Sequence, residues 1–84
     1  MNSIEWTRKA EKQLSRIDRN DQKTIVLAVG ELSGFPKCVN VKRLGNHPYE
    51  YRLRVGRYRV FFDFHSMVKI IRIEEVKKRD ERTY

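Results

Sequence analysis

No stretch constrains this chain more than YRLRVGRYRVFFDF, Tyr51 to Phe64. Its side chains alternate in character with a period of two, the repeat of a β-strand with one buried face. Tyr49, Tyr51, Leu53 and Val55 fall on one face, and Glu50, Arg52 and Arg54 on the other. Gly56 reverses the chain, after which Tyr58, Val60, Phe62 and Phe64 alternate with Arg57, Arg59, Phe61 and Asp63. The spacing predicts an antiparallel hairpin with one apolar face that the rest of the chain must cover. Its other face gathers Arg52, Arg54, Arg57 and Arg59 within about 10 Å, given about 4.8 Å between strands and about 6.8 Å per two-residue repeat. Only Glu50 and Asp63 stand within the hairpin to neutralise them, and like charges side by side on a sheet repel.

The cover comes from the first part of the chain. Ile4 to Trp6 has the β-branched and aromatic character of a short strand, and Thr7 stands where a helix cap belongs. A first helix is expected from Arg8 to Ile17, with Ala10, Leu14 and Ile17 in one stripe. A second is expected to start after Asn20 or Asp21 and to end at Gly34, carrying Ile25, Val26, Leu27, Val29 and Leu32. The joint between them is short, so they form an antiparallel pair. Val39 to Leu44 reads as a short strand, Gly45 to Pro48 as a turn, His65 and Ser66 as another turn, and Met67 to Val76 as an apolar interior strand. The expected fold is α+β: an N-terminal strand, a helical hairpin, then a three- or four-stranded antiparallel meander packed on the helices.

At 84 residues the chain reads as a single domain, 1–84, with little apolar material for a deep cavity. Charge narrows its partners. The formal net charge is +8 and it is unevenly spread. Residues 1–35 carry six basic against five acidic side chains, whereas residues 36–84 carry thirteen against six. The basic half points to a polyanion, most simply nucleic acid. The segment KKRDERTY extends it with Lys77, Lys78, Arg79 and Arg82 and finishes on Tyr84, a residue able to stack on a base. A tyrosine held among arginines has its phenolate favoured and so suits the role of a base.

Several chemistries are disfavoured. One cysteine, Cys38, allows no internal disulfide, and no Cys/His cluster has zinc-ligand spacing. His47 and His65 both fall in predicted turns, and no carboxylate pair is spaced for acid–base work. The amino terminus lacks the apolar core of a signal peptide, and the run Thr24 to Val29 is too short to span a bilayer. A cytoplasmic protein without metal, cofactor or membrane partner is expected. A nuclease built from these residues would use the substrate's own 2′-OH as nucleophile, so its substrate would be RNA.

The order of strand, helical hairpin and meander, with LGNHPYEYRLRVGRYRVFFDF followed by a strand and EEVKKRDERTY, resembles the RelE/ParE superfamily of toxins from bacterial type II toxin–antitoxin pairs. The resemblance runs over nearly the whole chain. Its RelE-like branch implies a ribosome-dependent mRNA endonuclease that cuts the A-site codon, leaving a 2′,3′-cyclic phosphate and a 5′-hydroxyl. Carried over by position, Arg59 would hold the scissile phosphate, Arg79 would do likewise or assist the leaving oxygen, and Tyr84 would activate the 2′-OH or stack. Arg52, Arg54, Arg57, Lys77, Lys78 and Arg82 would bind RNA. Arg52 stands where some relatives have a lysine, which leaves the base open, and the tail spacing leaves Arg79 and Lys78 interchangeable. The implied partners are a small, acidic, partly disordered antitoxin, the ribosome and mRNA, with DNA met only through the antitoxin complex at its own operator. ParE-like members of the same superfamily poison DNA gyrase, and a non-catalytic RNA-binding module is a third reading.

Overall fold

The computed structural model describes residues 1–79 of the chain. Thr7 caps the first helix as expected. Its Oγ1 accepts the Ala10 N–H at 3.1 Å and its hydroxyl donates to the Glu74 carbonyl at 3.3 Å. Strand β1 (Ser3–Trp6) therefore leads into helix α1 (Arg8–Ser15) at a point already tied to the sheet. The helix ends two residues short of Ile17, in a turn where the Ile17 N–H donates to the Leu14 carbonyl. Ala10 is fully buried, while Leu14 and Ile17 pack at the core's margin.

Helix α2 (Arg19–Gly30) begins slightly earlier than the sequence suggests and gives way to a 3-10 turn, Glu31–Gly34, in place of a longer α-helix. Its buried stripe is Ile25 and Val29, continued by Leu32 in the 3-10 turn. Val26 and Leu27, which share its apolar run, are exposed, because one stripe of a helix meets the sheet and its flanks do not.

The meander consists of β2 (Val41–Arg43), β3 (Tyr51–Val55), β4 (Tyr58–His65) and β5 (Ile70–Lys78). The sheet has five strands in the order β1-β5-β4-β3-β2. Its meander is antiparallel throughout, and β1 adds to β5 in parallel, making the whole sheet mixed. The first strand is thus an edge of the same sheet, a parallel pairing that the helical hairpin makes possible as a crossover. Three strand limits differ from expectation. β3 begins at Tyr51 and not Tyr49, His65 closes β4 instead of opening a turn, and Met67 and Val68 are exposed in the turn before β5. Lys69 has φ 54° there, a left-handed conformation that reverses the chain. At the β3–β4 reversal Gly56 has φ 55°, where a side chain would be strained.

The helices cover one sheet face. Phe62, Ile25, Leu32, Ile71, Ile73, Val29 and Val60 are the largest fully buried side chains between them. Opposite Phe62 the pairing of β4 with β5 slips: Phe61 faces Glu75 but Phe62 faces Ile73, so Glu74 is an extra residue in a bulge. Past the end of β1, α1 closes the edge of β5. There Gln13 Oε1 accepts the Val76 N–H at 2.7 Å.

Candidate RNA interface on the open sheet face

The helices lie on one side, so the opposite face of the meander is open. Register decides what this face presents. Leu53 pairs with Val60 on the covered face, so Arg52 with Phe61 and Arg54 with Arg59 must pair on the open one. The rows extend on both sides, with Lys42 opposite Arg52 and Lys77 opposite Arg59. Arg54, Arg59 and Lys77 thus stand in a line across three strands. Directly opposed like charges destabilise a sheet by up to about 1 kcal/mol per pair, and a fold tolerates them where an anion compensates.

At the carboxy-terminal end of β5 this surface dips into a concavity of about 90 Å³ lined by Arg52, Arg54, Gly56, Tyr58, Arg59 and Arg79. The Arg79 N–H donates to the Arg57 carbonyl, which anchors the chain beside the hairpin turn. Arg52 Nε is buried and has no hydrogen-bond partner among the described residues. Guanidiniums in this arrangement suit bidentate phosphate contacts.

Four of the expected site residues, Arg52, Arg54, Arg59 and Arg79, are brought together here. Lys77 joins them on the same face, held to Glu75 at 3.6 Å. Two others separate. Arg57 lies in the turn and lines the helix-side hollow with Asp21, Thr24, Ile25, Val55 and Tyr58, so it is not one of a four-arginine cluster. Lys78 pairs with Tyr58 on the helix-bearing face, whereas Arg79 lines the concavity. Arg82 and Tyr84 lie outside the described residues.

The acids differ from expectation as well. Glu50 and Asp63 serve the far end of the face: Asp63 Oδ1 accepts the Glu50 N–H at 2.8 Å and Glu50 Oε1 accepts the Phe64 N–H at 3.0 Å. Glu75 borders the cluster instead, sitting between Lys9 at 3.7 Å and Lys77. The sequence offered no sign of this, because Glu75 and Phe61 become partners only through the bulge. Lys42 was also missed as a site residue; its strand is three residues long and carries almost no periodic signal.

Two candidate nucleophiles or bases are chemically quiet. Tyr58 donates its hydroxyl to Asp21 Oδ2 at 2.9 Å, and this bond together with burial pushes its pKa up, the wrong direction for a base. Burial and Glu31 push the Cys38 thiol up, away from the reactive thiolate. Among the described residues no group of three or more His, Cys, Asp or Glu is placed to hold a metal ion, and no helix is long and apolar enough to cross a membrane.

Comparison with known proteins bears on the fold and the family. The family of ParE toxins of type II toxin–antitoxin systems, parDE, matches residues 4–82. No curated protein matches the chain. Among solved structures, the isolated RelE toxin of E. coli superposes with a TM-score of 0.81 at 13% identity, covering 96% of this chain and 87% of that one. The toxin–antitoxin complex RelBE2 of Mycobacterium tuberculosis gives 0.79 at 22% identity, covering 93% and 98%. The RelE–RelB complex of Pyrococcus horikoshii gives 0.79 at 22%, covering 98% of both chains. With a RelE-like fold and a family match along almost its whole length, the chain belongs to the RelE/ParE superfamily of toxins from type II toxin–antitoxin systems.

Proposed function

We propose that this toxin is a ribosome-dependent mRNA endonuclease that cleaves in the A site by attack of the substrate's 2′-OH on the adjacent phosphate. The observation that carries the reading is the arginine-lined concavity on the sheet face away from the helices. Arg59 holds the scissile phosphate and stabilises the charge that develops on it, because positioned cationic donors act most strongly where charge forms. Arg79 supports the same phosphate or the leaving 5′-oxygen, and Arg52, Arg54 and Lys77 grip the flanking backbone. Tyr84 carries the base or stacking role by resemblance alone.

Toxicity is restrained by a cognate antitoxin, small and acidic, laid over the same face. Supporting this, Arg54 also borders an apolar groove of about 320 Å³ between the end of α2, the loop 37–40 and β3, where Val39 is 79% exposed. One acidic, amphipathic segment can occupy the groove and neutralise the arginines together. An antitoxin that binds yet leaves the toxicity unchanged would sink this part.

The test is a ribosome stalled on a defined mRNA, with 5′ ends mapped by primer extension. Cleavage in the A-site codon is expected, lost in Arg59→Ala and absent on naked mRNA. The family match favours one rival, inhibition of DNA gyrase. Intact mRNA together with inhibited gyrase supercoiling would establish the rival.

A further inference from the structure

Beside the arginines, His47 lies nearly flat on Phe61. Their ring centroids are 4.9 Å apart and the planes are inclined by 19°. Tyr49 completes the group, 5.8 Å from His47 and 6.0 Å from Phe61. Phe61 is 6% exposed yet stands outside the core cluster, since its strand partner is Arg52 on the open face. The loop between β2 and β3 covers it, and His47, the ring on top, is exposed.

The loop is held rather than loose. The Tyr49 N–H donates to His47 Nδ1 at 3.1 Å, the Leu44 N–H donates to the Glu50 carbonyl at 2.8 Å, and Glu50 is pinned by its backbone bond to Asp63. With Nδ1 accepting, neutral imidazole carries its proton on Nε2. A rigid, aromatic, half-polar surface therefore adjoins the phosphate-binding side chains.

We propose that the His47–Phe61 stack is a nucleobase-stacking platform for single-stranded RNA, seating the base of a nucleotide whose phosphate is gripped by Arg52 and Arg59. The inference rests on the RNA reading above and adds a base subsite to it. Arg52 is the cross-strand neighbour of Phe61, and Arg59 lies one repeat of about 6.8 Å along the same strand, so base and phosphate positions fall within one nucleotide's reach. An aromatic face accepts any base, so the platform positions RNA without reading its sequence. Because the loop is already ordered, little entropy is lost on binding.

The test is anisotropy titration of a fluorescein-labelled RNA of about six nucleotides, and of the same backbone lacking its bases, with the wild-type chain and variants. His47→Ala is expected to weaken binding to intact RNA by about 5- to 100-fold, the range of one lost base stack, and to leave the abasic strand within about twofold. His47→Phe keeps the wild-type affinity for intact RNA, and Arg59→Ala weakens both strands. Unchanged affinity of His47→Ala for intact RNA would overturn the platform, as would equal loss on both strands. A wild-type chain indifferent to RNA and to Arg59→Ala would overturn the RNA reading itself. Thermal melting verifies that each variant is folded.

Discussion

Arg54 and Arg59 stand directly opposite each other across the β3–β4 hairpin, on the face that no helix covers. Two guanidiniums in register are a cost to the free protein and a ready grip for an anion. Stability and binding should therefore respond oppositely to their removal. Arg54→Thr is expected to raise Tm by about 1–5 °C at low salt and by less at 1 M salt, where repulsion is screened. The same variant should bind RNA more weakly. A melting series over salt, paired with an RNA titration, checks both arms; a lowered Tm would show that the pair is not a repulsive one.

Phosphate contacts leave a signature in the salt dependence of binding. For single-stranded nucleic acid, log K against log salt falls with a slope of about −0.7 per neutralised phosphate. Arg59→Ala and Lys77→Ala should each make the slope shallower by about 0.7. Lys12→Ala, on α1, should leave it unchanged. Slopes unaffected by Arg59→Ala would remove Arg59 from the phosphate contacts.

Gln13 is the contact by which α1 closes the edge of β5 beyond β1. Its Oε1 takes the Val76 N–H at 2.7 Å, a backbone donor that has lost its neighbouring strand. Gln13→Ala leaves that donor without its partner, at a cost of about 1–3 kcal/mol. Urea unfolding should show a lower midpoint with an unchanged slope.

The bulge at Glu74 creates a pH dependence. Burial, a hydrogen bond with Asp63 and the Asp63 charge raise the Glu74 pKa, against weaker opposition from Arg72 and His65. A carboxyl raised in the folded state binds more protons there than in the unfolded chain. Its contribution is therefore favourable at pH values below the ordinary carboxyl value of 4.5 and is lost as pH rises through the higher folded value. Glu74→Gln removes the penalty of ionisation. Its Tm should exceed the wild type's at pH 7 and converge with it toward pH 4; a constant difference at every pH would mean that Glu74 does not titrate differently on folding.

The hairpin was legible because period-two alternation states the face of each residue without reference to any partner. It correctly separated Arg52, Arg54 and Arg59 from Leu53 and Val60. It misplaced Arg57, since a residue at a turn no longer follows the alternation of the strand it enters. The exposure of Val26 and Leu27 was illegible for a similar reason. Hydrophobicity shows that a helix has an apolar flank, whereas only the position of the sheet decides how much of it is covered. The His47–Phe61 stack was invisible, because two residues fourteen apart, one of them in a loop, leave no periodic trace.

By itself the sequence determined the local elements of this toxin, the faces of its hairpin and the cationic half of the chain, all properties set by nearest neighbours and by charge. Tertiary structure alone decided that β1 adds in parallel beside β5, that a bulge brings Glu75 opposite Phe61, and that Arg79 joins the open face while Lys78 leaves it. Those outcomes depend on register between distant strands. A shift of one residue turns every side chain to the opposite face, and only the packing of the whole core selects one register over the next.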